Sequence, residues 1–337
     1  MNSKNALRGL SIAVVLHFAV LAGSAQTNIY LYSGSETNIT LNSGTYIITA
    51  YGAPGADGGY GAEMSAEFNF STSKTLTLLV GGGGGGSFVV EGNTPLVIAG
   101  GGGGSGDGNA NISTNGYSGG AASYMGGRGG TNGGGGAGGT SPFGGSGGGG
   151  GFQGNGGGGD DSVYSGRFYY GSGGGGSFTN GGVGGDAYSP GGRGGGGGGG
   201  YMGGGGGGGG YSGGGGGGLG AGGGGGGSII DSSAKTILTE VSGILSPDNT
   251  NNGEIIIVAV PTPLDIITTG AAFGFTNGVF GFDVSGPSGS NVVIQASTDL
   301  KTWIPLQTNL LGSGPLYFSD PQSTTNVQRF YRAQLTP

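Results

Sequence analysis

The chain has 337 residues, 98 of them glycine and only 12 proline, with a formal charge of −7 and no cysteine. A collagen helix needs glycine at every third position and abundant proline; this sequence has neither, so collagen is excluded. Charged residues make up 8% of the chain, too few for a solvating disordered tail. The acidic balance offers no basic patch for nucleic acid and no polybasic arm for a membrane surface.

Residues 1–25 read as a secretion signal. Lys4 and Arg8 form the charged end, residues 10–21 (LSIAVVLHFAVL) the apolar core, and Gly23 and Ala25 the small residues before a cleavage ahead of Gln26. The competing reading, a membrane anchor, needs a longer apolar stretch to cross roughly 30 Å of hydrocarbon. The mature chain is therefore expected to be exported and soluble, with no membrane span. Cleavage removes the one histidine, His17, and leaves 8 basic against 17 acidic residues, a net of −9. The mature chain then has neither histidine nor cysteine, the side chains most used for nucleophilic, acid–base and transition-metal work near neutral pH.

Residues 27–80 carry short runs rich in β-branched and aromatic residues, such as NIYLY, TYIITAYGA, AEFNF and KTLTLLV, separated by turn residues. NIYLY and EFNF alternate polar and apolar, as half-buried strands do. Residues 81–227 then hold 79 of the 98 glycines in 147 positions, interrupted early by the hairpin-like SFVVEGNTPLVIA at 87–99. Residues 228–260 return to β pattern, and GEIIIVAV (253–260) reads as a buried strand. Pro261 to Pro263 make a stiff linker. Residues 264–337 carry further short β runs at a spacing that predicts a small antiparallel β-sandwich, with Trp303, the only tryptophan, in its core.

The glycine segment is either a coil or a folded body. Fixing a glycine backbone costs about 1–2 kcal/mol with no side chain to bury in return. Order therefore requires the backbone groups to pair with one another. Glycine chains in an extended three-fold helix, rising about 3.1 Å per residue, point their N–H and C=O groups outward and can bond to neighbours on every side, provided no Cβ intervenes. The nearly pure run 194–227 would then lie inside such a bundle, and stretches such as 117–134 (YSGGAASYMGGRGGTNGG) outside. The breaks at Tyr201–Met202, Tyr211–Ser212 and Leu219 would be corners. The end far from the exit into Ser228 would expose Tyr201, Met202 and Leu219, and Tyr211 would lie at the near end.

Candidate chemistry is sparse. G-x-G-x-x-G is uninformative at this glycine content, and no Gly-Lys-Ser/Thr makes a phosphate loop. Asp107, Asn109 and Asn111 have the spacing of a calcium loop, but Ile112 and Ser118 stand where glycine and glutamate belong. Asp160–Asp161 is one adjacent carboxylate pair in a surface turn, which predicts no active site. STDLKTW (297–303) reads as a structural hairpin. No cofactor, no metal and no catalytic residue is expected.

The flanks of the glycine segment, GTYIITAYGAPGADGGYGAEMSAEFNF, LTLLVGGGGGGSFVVEGNTPLVIAGGGGG and NGEIIIVAV, resemble the glycine-rich domain of the anaplastic lymphoma kinase and leukocyte tyrosine kinase receptors, which many secreted bacterial proteins share. The resemblance covers most of residues 28–260. It implies a tumour-necrosis-factor-like β-sandwich, with framework 28–99 and 228–260, and an inserted polyglycine-II helix bundle at 100–227. Nothing here matches a kinase or a transmembrane helix, so the receptors' cytokine role does not follow. The tail, with ASTDLKTWIPLQTN, YFSDP and RFYRA, is similar to a short C-terminal β-module of exported bacterial proteins. Similar polyglycine bundles stand at the tips of phage tail-fibre adhesins. The resulting expectation is a secreted, non-enzymatic surface or adhesive protein, with Tyr201, Met202 and Leu219 as binding residues for a cell-surface, glycan or protein ligand. The alternative is a purely structural matrix component with no specific ligand.

Overall fold

The computed structural model describes residues 26–106, 108–120, 124–202, 204–312, 314–325 and 327–336. Residues 1–25, which the sequence reads as a secretion signal, and Asp107 lie outside the described residues. The chain is mainly β and forms two compact units, Gln26–Ala259 and a second beginning at Val260.

The first unit is built from β1 (Thr27–Leu31), β2 (Thr37–Leu41), β3 (Gly44–Tyr51), β4 (Gly61–Phe70), β5 (Lys74–Leu79), β6 (Ser87–Glu91), β7 (Thr94–Ala99), β8 (Ser162–Tyr164), β9 (Arg167–Tyr169), β10 (Ile229–Ile230), β11 (Thr236–Ile244) and β12 (Glu254–Val260). One five-stranded sheet runs β1-β12-β3-β4-β11 and another β10-β7-β6-β5-β2. The alternation in β3 and β4 puts Ile48, Ala50, Met64 and Phe68 on one face, where they meet Leu76, Leu78, Val89 and Val97 of the other sheet. Each such side chain contributes about 1.5–3 kcal/mol by burial.

The second sheet is buried on both faces. With side chains alternating along each strand, Leu78, Val89 and Val97 enter the sandwich core while Leu79, Phe88, Val90 and Ile98 turn the other way. There they form a separate cluster with Phe152 and Phe178 of the glycine segment, backed by Tyr211 and Ile229. The outer face of this sheet is the seat of the glycine segment.

Most of that segment is neither helix nor strand, yet backbone bonds run along much of it. Along residues 213–218 the donors repeat every three residues. Gly213 and Gly216 donate to Gly134 and Ala137, Gly214 and Gly217 to Gly208 and Gly205, and Gly215 and Gly218 to Tyr117 and Gly120. The same stretch accepts from Gly127 and Gly130, from Gly149 and from Gly224. It is thus enclosed by six other stretches of chain. A Cβ on any residue of 213–218 would overlap a neighbour's carbonyl oxygen, so only glycine fits.

Residues 144–151 are enclosed in the same way and are buried throughout. Most of 194–227 is buried as expected, at 204–210, 213–218 and 223–227, but part of 194–200 is half-buried, and 144–151, which was not singled out, lies inside as well. The interior also admits small side chains. Ser146 is buried, and its hydroxyl donates to the Gly217 carbonyl at 2.7 Å. The chain turns at Tyr201–Met202, at Tyr211–Ser212 and at Leu219–Gly220. Between these turns, 204–210 and 213–218 pair in opposite directions, through Gly214 to Gly208 and Gly217 to Gly205.

The second unit comprises β13 (Asp265–Ile267), β14 (Gly274–Thr276), β15 (Val279–Ser285), β16 (Asn291–Ser297), β17 (Ile304–Leu310), β18 (Leu316–Asp320) and β19 (Phe330–Leu335). Strand β15 pairs with β13 and β14 along one side and β18 along the other, and β16 lies between β17 and β19. Phe282, Val284, Val292, Ile294, Phe318 and Tyr331 fill the core. Trp303 does not, contrary to the sequence expectation. It is half-buried, with the Arg332 guanidinium 4.3 Å from its ring centre, and Arg332 Nε donates to Gln295 at 2.6 Å. Tyr331 is buried there beside Phe282 and Phe318, and its hydroxyl donates to Asp320 at 2.9 Å, with Arg329 Nε 2.7 Å from the same oxygen. Burial, then the Asp320 carboxylate, pushes the Tyr331 phenol above the ordinary tyrosine range.

Three outcomes follow from this packing. In amide exchange, the N–H groups of residues 213–218 will be protected; uniformly fast exchange across the glycine segment would mean an unpaired coil. Gly216→Ala, whose Cβ meets only backbone atoms, will destabilise the first unit by about 3 kcal/mol. Gly83→Ala, with open space around its Cβ, will leave the melting temperature nearly unchanged. In the second unit, the Asp299 carboxylate accepts N–H groups from Thr302 and Lys301 at 2.7 and 2.8 Å and the Ser297 hydroxyl at 2.9 Å. These donors, Thr302 foremost, lower its pKa to about 2. The folded value lies below the ordinary value of about 3.9, so this contribution is present above that pH and lost as pH falls toward 2. A carboxyl NMR titration will give a midpoint near 2; a midpoint near 3.9 would dismiss these bonds.

Candidate functional site

The turns gather at two ends of the glycine stretches, and the aromatic residues fare differently at each. Against the sandwich, Phe152, Phe178 and Tyr211 continue a stack that starts at Phe88 of β6. The ring centroids are 5.1 Å apart for Phe88–Phe178, 5.5 Å for Phe152–Phe178 and 6.4 Å for Phe152–Tyr211. Here the rings are anchors.

At the opposite end the rings face water. Backbone bonds tie the turns there into one surface: Thr140 donates to Met125, Gly145 to Asp160, Gly199 to Ser189 and Gly200 to Gly204. The β8–β9 hairpin stands on this surface. Its two-residue turn has positive φ at both Ser165 (50°) and Gly166 (75°), as a type I′ hairpin turn requires. The hairpin is fastened by Gly171 N–H to Asp161 at 2.7 Å and by Gly144 N–H to the Ser162 hydroxyl at 3.1 Å.

Five rings then form a continuous path. Tyr164 packs on Phe143 (4.9 Å), Phe143 on Tyr169 (5.4 Å), Tyr169 on Tyr201 (6.1 Å) and Tyr201 on Tyr188 (5.4 Å). Phe143 and Tyr169 are half-buried beneath the rest. Of the residues singled out from sequence, Tyr201 joins this path and Met202 is exposed beside it. Leu219 occupies its own turn and is half-buried, less exposed than expected.

Sequence reasoning missed Phe143, Tyr164, Tyr169 and Tyr188. A signal was available in SVYSGRFY (162–169), which alternates around a Ser-Gly turn but is short and set in glycine.

Among the described residues, four carboxylates, Asp57, Asp160, Asp161 and Asp186, are exposed at this end against one guanidinium, Arg167. A cavity of about 170 Å³ is lined in part by Asp57, Ser105, Ser189 and Gly204. That is below the roughly 300–1,000 Å³ of sites that enclose a small molecule, so a ligand here would lie across the surface. A wider hollow of about 840 Å³ borders Gly222, Gly223 and Gly224 between Asn109 and Tyr117. Its walls are mostly glycine, and Tyr117 is the only ring among its described lining residues.

The calcium-like spacing finds other uses. Asn109 Oδ1 accepts the Tyr60 N–H at 2.8 Å, and Asn111 caps its own turn through Ser113 and Asn115 at 3.0 Å each. Among the described residues no group of three or more His, Cys, Asp or Glu is placed to hold a metal ion. No helix of the described residues is long and apolar enough to cross a membrane. No protein-family model matches this chain, and no curated protein is similar to it.

Proposed function

We propose that the protein is an exported, non-enzymatic surface or adhesive binding protein. In this reading a tumour-necrosis-factor-like sandwich of the receptor glycine-rich-domain type carries a polyglycine-II helix bundle, and the bundle presents its outer turns to a ligand. The single observation that carries the reading is the opposite fate of the aromatic residues at the two ends of the glycine stretches. At one end Phe152 and Phe178 are buried against β6; at the other Tyr188 is 80% and Tyr201 54% exposed. Exposed apolar side chains clustered on a rigid base mark interaction sites rather than ordinary surface.

The three-residue repeat of bonds along 213–218 supports the polyglycine-II reading, since a three-fold helix returns to the same neighbour every third residue. The absence of histidine and cysteine from residues 26–337 supports a role without catalysis. Replacing Tyr201, Met202 and Leu219 together by serine will weaken binding of the purified protein to cell surfaces by roughly tenfold or more, the scale of a few aromatic hot-spot residues. Unchanged binding would sink the assignment of this end as the binding face.

A further inference from the structure

The binding reading leaves the ligand's chemistry open, and the outer face narrows it. Tyr170 and Tyr188 are each 80% exposed and Phe168 77%, so flat apolar rings stand in water. Below, Phe143 holds Tyr164 and Tyr169 by edge-on contacts, and Tyr169 lies tilted against Tyr201. Charge decides against several partners: four carboxylates against one guanidinium make the face repel phosphate, sulfate and uronate groups, and with them nucleic acid and anionic lipid.

The surroundings decide further. A protein interface of ordinary size buries roughly 800 Å² per partner, and its central aromatic residues are ringed by side chains that exclude water. Here much of what surrounds Tyr188 and Tyr201 is glycine backbone, and the side chains set among it are few. Exposed rings set among carboxylates, serine hydroxyls and backbone suit a ligand that is itself flat and apolar on one face and studded with hydroxyls at its edges. The ring path continues through four contacts of 4.9 to 6.1 Å from Tyr164 to Tyr188, which favours an extended chain over a single small molecule.

We infer that this face binds neutral polysaccharide, a sugar polymer without carboxylate, sulfate or phosphate groups, through separate sugars of one chain stacked on Tyr188 and on Tyr201, whose rings stand nearly at right angles, with hydroxyls accepted by Asp160, Asp161 and Asp186. The inference rests on the binding role proposed above. The sugar's C–H face covers the rings, and the carboxylates, being acceptors only, take its O–H groups. No covalent step is involved.

The test uses the full chain in affinity electrophoresis through gels holding a neutral β-glucan, a neutral galactomannan, or polygalacturonate. Retardation by at least one neutral polymer and none by polygalacturonate is expected. Tyr188→Ala and Tyr201→Ala will each weaken the neutral interaction roughly tenfold. Tyr188→Phe, which keeps the ring, will retain it, and Ile237→Ser on the exposed part of β11 will leave it unchanged. Protection of the amides of 213–218 in each variant will show that the fold persists. Retention on polygalacturonate, or neutral binding indifferent to Tyr188 and Tyr201, would overturn the inference. If no polysaccharide binds while cell binding still depends on Tyr201, the inference fails and the binding role stands. If neither is seen, both fail.

Discussion

A peptide group removed from water must find another peptide group. In most proteins side chains drive that removal, and backbone bonds follow. In residues 81–227 the order is reversed, because there are few side chains to bury. Carbonyls and amides approach closely from six sides of 213–218, which is possible only where every Cβ is missing. A backbone hydrogen bond contributes about 1 kcal/mol net, comparable with the 1–2 kcal/mol of ordering each residue. The glycine body is therefore marginal by itself and depends on what it is seated against.

The seat is the sheet β10-β7-β6-β5-β2. Its strands carry apolar residues on both faces: Val89 and Val97 serve the sandwich, while Phe88, Val90 and Ile98 serve the glycine body. Phe152, Phe178 and Tyr211, set in the turns nearest the sheet, complete the joint. The few bulky residues of the segment thus sort by position. Those at the sheet side become core, while at the far side Phe143 and Tyr169 are only half-buried and Tyr188 and Tyr201 stay exposed.

Much of the framework was legible in the sequence. Alternation in β1 and β4 and the apolar run of β12 marked strands because burial on one or both faces leaves that imprint. The requirement for backbone pairing was legible too, since unbroken glycine leaves no other source of order. The interior position of 144–151 was not, because Ser146 and Phe152 made it look less pure than 194–227. A hydroxyl small enough to bond a passing carbonyl is compatible with close packing, and composition alone does not show this. Trp303 misled for the opposite reason. A large ring suggested core, yet a guanidinium can cover it as well as a hydrophobic layer can. Of the outer face, Tyr201 was legible from its place in a glycine run. Tyr164, Tyr169 and Tyr188 depend on contacts between turns distant in sequence, which no local pattern records.

Ser146 has one more consequence. A column of pure glycine is identical to itself when slid along its axis by one repeat of three residues, and each sliding position offers the same bonds. Such a body has no inherent way to choose its alignment. The Ser146 side chain breaks that equivalence: its hydroxyl meets the Gly217 carbonyl, and moved on by three residues it would stand where Gly149 stands, where a Cβ overlaps the Gly208 carbonyl. The aromatic stack at Phe152 and Tyr211 clamps the ends of the same stretches. A handful of side chains thus acts as a vernier for the whole assembly, selecting one alignment from a ladder of near-equal ones.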